Sequence, residues 1–148
     1  LRKDLRVVVL ERRNIRYLKR KELEEEVNLV TLDLSFISLT KVLEEISNLL
    51  TPKGEIIALI KPQFEAGKEK VERGGVVRDP GVHREVILKV IDKAKEEGLT
   101  TGGLIPSPLR GPAGNIEYFV HLAKEGKEIK NISNKIKEVV AEAQAIPK

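Results

Sequence analysis

The sequence predicts an α/β fold built on a doubly wound, largely parallel sheet. Short β-branched apolar runs alternate with segments whose apolar residues recur at helical spacing. The runs are apolar almost throughout, which suits strands covered on both faces. At 148 residues the chain has the length of one domain.

The elements follow in order. Residues 6–10 (RVVVL) read as a first strand and 27–34 (VNLVTLDL) as a second. Residues 40–50 form a helical pattern, with Val42, Leu43, Ile46, Leu49 and Leu50 on one face. The turn TPKG introduces a third strand at 55–60 (EIIALI). Asp79 is suited to N-cap a second helix, with Pro80 in its first turn and Gly98 closing it. Val82, Val86, Ile87, Val90 and Ile91 form its apolar stripe. A short strand near 101–105, the connection PSPLRGPAGN and a strand at 116–122 (IEYFVHL) come next. An amphipathic helix over 132–145 ends the pattern.

Composition narrows the function classes. Charged residues make up 34% and hydrophobic ones 41%, as in a globular protein rather than a disordered one. No apolar run approaches the roughly 20 residues of a membrane helix, so no membrane partner is expected. Zero cysteines exclude a thiolate metal site and suit the cytoplasm. His83 and His121 stand without carboxylates at ligand spacing, so no metal is expected. The 27 basic against 23 acidic residues hint mildly at an anionic partner. The chain has no methionine and enters a strand-like run almost at once, which points to the C-terminal part of a longer protein.

In open α/β sheets, ligands sit at the carboxyl ends of the parallel strands. Asp33 ends the second run and Lys61 the third, so both are expected at one rim, on neighbouring strands about 4.8 Å apart.

Four motifs then carry a resemblance: DLSFISL (33–39), ALIKPQFE (58–65), GGVVRDPGVH (74–83), and IPSP followed by GNIEYF (105–119). Their order and content are similar to the haemolysin-like TlyA family of FtsJ-type RNA ribose methyltransferases. The resemblance implies a Rossmann-like class I methyltransferase sheet with a final antiparallel strand. It implies S-adenosyl-L-methionine as cofactor and a Lys–Asp–Lys–Glu set for ribose 2′-O-methylation. Residue by residue, the Asp falls on Asp33, the second Lys on Lys61 and the Glu on Glu117. The first Lys, the Gly-rich cofactor loop, the ribose-binding acid and the first strands have no counterpart in this chain. A partial methyltransferase domain over 1–148 is therefore expected, without the small N-terminal RNA-binding module of the family.

The remaining assignments keep alternatives open. Glu11, Arg12 and Asn14 fall where the family fold places its adenine loop, and with Asp33 and Leu34 they form the expected cofactor set; ERRN reads equally as a solvated turn. Arg13, Arg16, Lys19 and Arg20, with Tyr17 among them, suit RNA phosphates, as do Lys61 and Arg78. KELEEEV follows directly, so the basic stretch also reads as a solvated helix with internal ion pairs. The loop 65–79 reads as a lid or a plain connector, and Phe36 and Phe64 as base-stacking or core residues.

A lysine beside a carboxylate can take the proton of a ribose hydroxyl or, while charged, orient that hydroxyl and stabilise its developing charge. Two carboxylates favour the charged, orienting role. The leading expectation is thus a methyltransferase acting on RNA, with ribosomal RNA or a ribosomal subunit as partner. The alternative is a non-catalytic RNA-binding module of the same fold. The haemolysin label finds no membrane-active segment here. Because two family strands would separate residues 6–10 from the rest, that segment is expected to be displaced or paired with a second copy through an exposed sheet edge.

Overall fold

The computed structural model describes residues 2–146. Four strands form one mixed sheet: β1 (Val27–Leu32), β2 (Leu50–Ile60), β3 (Thr100–Pro106) and β4 (Tyr118–Ala123), in the order β1-β2-β4-β3. β1 and β2 are parallel, while β4 runs antiparallel between β2 and β3. The final strand is thus antiparallel and inserted, as expected. The carboxyl ends of β1, β2 and β3 and the start of β4 share one rim.

The helices are α1 (Leu43–Leu49), the single turn α2 (Pro62–Glu65), α3 (Pro80–Glu96) and α4 (Ile132–Ala145). α3 begins where the Asp79 side chain accepts from the Gly81 N–H at 2.7 Å, and Gly98 follows its end at φ +72°. That left-handed turn is a conformation glycine adopts without steric cost. α4 has the expected bounds, and its Ile136, Val139, Val140 and Ala143 are buried. The helix expected over 40–50 is a 3₁₀ turn (Leu39–Lys41) followed by α1, and Leu50 already belongs to β2. Its five apolar residues are all buried. The TPKG turn is a bulge inside β2: Val27 pairs with Leu50, yet Leu29 pairs with Glu55.

Two expectations are corrected. Residues 6–10 are not a strand. The Asp4 carbonyl accepts from the Val7 N–H and its carboxylate from Arg6, which turns the chain away; Val8, Val9 and Leu10 stay exposed. A β-branched run has strand propensity only where a neighbour supplies ladder bonds, and β1 is left as the outer strand of the sheet.

The second correction concerns the cover. Ile56, Ala58 and Ile60 of β2, Tyr118, Val120 and Leu122 of β4 and Leu104 of β3 join the helices in one core. Their alternates on the other face are not covered by the described helices. Ile57, Leu59, Phe119 and His121 are half-buried, and Leu29 and Ile105 are 58% and 56% exposed. Alternate side chains of a strand point to opposite faces, so the described residues cover the sheet on one face only.

Loop 66–79 is folded back on the core. Glu72 and Val76 form an isolated bridge around the Gly74–Gly75 turn, both glycines at positive φ. The buried Asn115 side chain accepts from the Val77 N–H at 3.1 Å and donates to the Gly75 carbonyl at 2.8 Å. His83 closes the loop from the α3 side. Its Nε2 donates to the Val77 carbonyl at 2.8 Å, since a carbonyl only accepts, so its Nδ1 accepts from the Tyr118 hydroxyl at 2.7 Å. Burial raises the Tyr118 phenol well above its usual pKa, which keeps it a donor.

Two expectations follow for stability. Asp79→Ala should lower the unfolding free energy by about 1 kcal/mol in urea titrations, with Asp79→Asn closer to wild type. Burial holds the His83 imidazole below its usual pKa of 6.5. A depressed folded-state pKa means that the unfolded chain takes the proton more readily. The stability His83 contributes is therefore present above pH 6.5 and is lost as pH falls through the folded-state value. Urea titrations from pH 7 down to 5 should show stability declining, with a shallower slope for His83→Gln.

Candidate active site at the strand-end rim

β1 ends at Leu32 and Asp33 follows; β2 ends at Ile60 and Lys61 follows. Their parallel pairing sets the two side chains on one rim. Lys61 Nζ lies 2.5 Å from Asp33 Oδ1. The pair is asymmetric: the lysine side chain is 12% exposed and the carboxylate 74%. Lys61 is therefore held from below by protein, while Asp33 faces outward. Pro62 removes a backbone donor and starts α2 directly after Lys61, so the chain turns sharply there.

Glu117 arrives from the other side. Ile60 pairs with Tyr118, so continuing the antiparallel register by one residue places Lys61 beside Glu117. Glu117 is buried, and its carboxylate accepts from Gln63 Nε2 at 2.9 Å. Its carbonyl accepts from the Ser107 N–H at 2.8 Å. Although it directly precedes β4, Glu117 is withdrawn from solvent. Gly111 lies close beside it: a Cβ at that position would stand 2.8 Å from Glu117 Oε1 and displace the carboxylate. Among the described residues, no ion pair within 4.0 Å joins Glu117 to Lys61.

A second buried carboxylate ties the two rim loops together. Glu65, at the end of α2, accepts from Ser38 Oγ at 2.5 Å and from the Leu39 N–H at 2.7 Å. Its pKa is raised by burial, against which the two hydrogen bonds and the charge of Lys89 act. The loop between Asp33 and Ser38 is thereby fixed to the turn after Lys61. Within it Phe36 takes φ +63° and is 91% exposed, with its ring 4.9 Å from that of Phe64. Phe36 is not a core residue. Lys61 Nζ lies 5.9 Å from the Phe64 ring centre, at the outer limit of a cation–π contact.

The other sequence-derived residues stand apart from the rim. Glu11 pairs with Arg2, and the Asn14 side chain accepts from the Arg16 N–H at 3.1 Å. Arg12, at φ +56°, borders a groove with Arg13, Asn14 and Tyr17. Among the described residues, no hydrogen bond or ion pair connects Glu11, Arg12 or Asn14 to Asp33 or Leu34. Arg13 pairs with Glu22 at 2.6 Å, Arg20 with Glu26 at 2.7 Å, and Arg78 with Glu72. Arg16 lies over the Tyr17 ring, and the Lys19 N–H donates to Glu22. Gln63, Glu65, Gly111 and Asn115 were not singled out by sequence reasoning. The signal open to it was two polar side chains, Gln63 and Glu65, in the turn directly after the strand-end lysine.

A lysine and two carboxylates at the strand-end rim of a mixed sheet, with its antiparallel strand inserted next to last, define an α/β protein of Rossmann-like, methyltransferase type. The family is more particular. The FtsJ-like methyltransferase model matches residues 1–124, and the chain belongs to that family. It is 43% identical to a Bacillus subtilis protein named "Putative rRNA methyltransferase YqxC", over 97% of this chain and 52% of the other. It is 48% identical to the Mycobacterium tuberculosis "16S/23S rRNA (cytidine-2'-O)-methyltransferase TlyA", over 82% of this chain and 46% of that one. Among solved structures, "The crystal structure of a putative hemolysin from Lactococcus lactis" superposes with a TM-score of 0.89 at 41% identity, covering 97% of this chain and 69% of the other. The chain spans about half the length of the two named relatives.

The family implies S-adenosyl-L-methionine. The residues described here do not enclose it: Asp33 faces outward, and the Glu11–Asn14 segment is engaged in its own turn contacts. What the rim offers by itself is an ammonium group paired with an exposed carboxylate.

Glu65→Ala would leave the Leu39 N–H unpaired in a buried site and take from the Ser38 hydroxyl its carboxylate acceptor. It should cost about 2 kcal/mol of unfolding free energy in urea, well beyond an exposed substitution such as Glu69→Ala.

Proposed function

We propose that this chain forms the acceptor-side portion of an S-adenosyl-L-methionine-dependent RNA ribose 2′-O-methyltransferase, with ribosomal RNA as substrate. The observation that carries the reading is the 2.5 Å Lys61–Asp33 pair at the strand-end rim, with Glu117 in the next register position. The names of the relatives support the substrate class.

In this reading Asp33 holds the Lys61 side chain in place. The ammonium orients the ribose hydroxyl and stabilises the negative charge that develops as the hydroxyl becomes a nucleophile. Glu117 supplies a second acceptor on the opposite side. Alignment of the hydroxyl contributes much of the rate.

RNA phosphates would be met by Arg13, Arg16, Lys19, Arg20 and Arg78, with Lys61 at the reacting sugar. Several of these cations now pair with glutamates in exposed ion pairs. Such pairs contribute only about 0–1 kcal/mol, so exchange for a phosphate costs little. The cytoplasm is the compartment this substrate implies. Among the described residues, no helix is long and apolar enough to cross a membrane. The outer edge of β1 is the place where a second copy would add.

The second reading is a binding module without catalysis, and the incomplete enclosure of the cofactor favours it. The full gene product, incubated with S-adenosyl-L-methionine and ribosomal RNA, separates the two. Methyl transfer that falls by about 10²–10⁴-fold in Lys61→Ala, with the circular dichroism spectrum retained, supports the enzyme. RNA binding without transfer by the wild type supports the module.

A further inference from the structure

One polar atom near the rim has no partner. Gln63 is the second residue of α2, two positions after Lys61. Its Nε2 donates to Glu117 Oε1 at 2.9 Å. Its Oε1 is buried from solvent and accepts no hydrogen bond from any described residue. Turning the amide over does not relieve this. An ionised carboxylate only accepts, so a flipped Gln63 would set two acceptors against each other and strand the nitrogen instead.

Leaving a buried acceptor unsatisfied costs about 1–3 kcal/mol. Folded proteins retain few such groups, and each calls for a physical reason. Here the orphan oxygen belongs to a side chain that already holds Glu117. It also follows closely on Lys61, whose Nζ meets Asp33. The unpaired acceptor therefore belongs to a side chain tied to Glu117 in the turn that follows Lys61, and on the proposed function a ligand at that rim can supply the missing donor.

We propose that Gln63 is a positioning residue of the acceptor site: its nitrogen fixes the Glu117 carboxylate beside Lys61, and its oxygen accepts a hydrogen bond from the acceptor nucleotide. The donor is an N–H or O–H of that nucleotide, either an exocyclic amino group of the base or the ribose 2′-hydroxyl. This inference rests on the ribose-methyltransfer reading and deepens it by naming a contact to the substrate. It gives the short sequence KPQFE three tasks within five residues. Lys61 meets the hydroxyl, Gln63 holds the opposite carboxylate and a substrate donor, and Glu65 fixes the facing loop.

The test uses the full gene product with S-adenosyl-L-methionine and an RNA fragment carrying the nucleotide the wild type methylates. Gln63→Leu keeps the size of the side chain and removes both of its hydrogen-bonding groups. It should lower kcat by about tenfold or more while the thermal midpoint shifts little, because the orphan oxygen it removes offsets the acceptor it strands on Glu117. Gln63→Glu sets a like charge against Glu117 while ionised and restores a donor when protonated. Its pH profile for kcat should therefore shift toward acid, a change that a merely structural role would not produce. Repeating Gln63→Leu on an RNA whose target base lacks the amino group identifies the donor: a persisting defect assigns the hydroxyl, and a vanished one the amino group.

Wild-type kcat and KM in Gln63→Leu, or an unshifted pH profile in Gln63→Glu, would overturn the inference. If Lys61→Ala abolishes transfer in the same assay, that result leaves the methyltransfer reading standing and removes only the role of Gln63. A wild type that transfers no methyl group to RNA overturns both.

Discussion

The register of β2 between its two neighbours is the constraint on which the site depends. Parallel pairing with β1, in which Leu32 lies opposite Ala58, ends both strands at one rim where the Lys61 side chain reaches back to Asp33, and antiparallel pairing with β4 brings Lys61 to the register position of Glu117. Three segments separated by dozens of residues thereby deliver charged side chains to one rim. A slip of one residue in either ladder would send the neighbouring side chains to the other face. The fully buried Ile56, Ala58 and Ile60 oppose such a slip, because they would exchange places with Ile57 and Leu59. The packing of the core therefore sets the geometry of the rim.

Around that rim the chain accepts a polar burden for geometric control. Lys61 is largely buried against an exposed carboxylate, Glu65 is buried with its pKa raised, and Gln63 leaves an acceptor unpaired. Each is unfavourable in isolation. Together they fix two loops and a carboxylate relative to one ammonium group. Proteins place such features where function requires a defined arrangement. The loop 66–79 shows the same economy away from the rim: Asn115 and His83 hold it through a buried amide and a neutral imidazole. Tyr118, the residue after Glu117, completes that link, so the loop and the site share an anchor.

Much of this was legible in the sequence where the signal is local. Asp79 and Gly98 mark the ends of α3, and the spacing of Ile136, Val139, Val140 and Ala143 marks α4. Strand-end placement carried Asp33 and Lys61 to one rim, since an apolar run that stops on a charge localises that charge. The illegible parts depend on partners far along the chain. Residues 6–10 have strand composition and no strand to pair with. Glu65 finds Ser38 across 27 positions and Gln63 finds Glu117 across 54, and neither separation leaves a periodic trace. One-sided cover of the sheet was equally hidden. A continuous apolar run such as residues 56–60 reads the same whether helices lie on one face or on both.

The account holds that the Asp33-supported lysine serves ribose methylation, and cells report on this most directly. Ribosomal RNA from a strain lacking the gene should be mapped for 2′-O-methyl groups by mass spectrometry, then mapped again after complementation. The account predicts a ribose methyl group that is absent in the deletion strain, restored by the wild-type gene and not restored by an Asp33→Asn gene expressed at the same level. An unchanged ribose methylation map in the deletion strain, or full restoration by the Asp33→Asn gene, would contradict it.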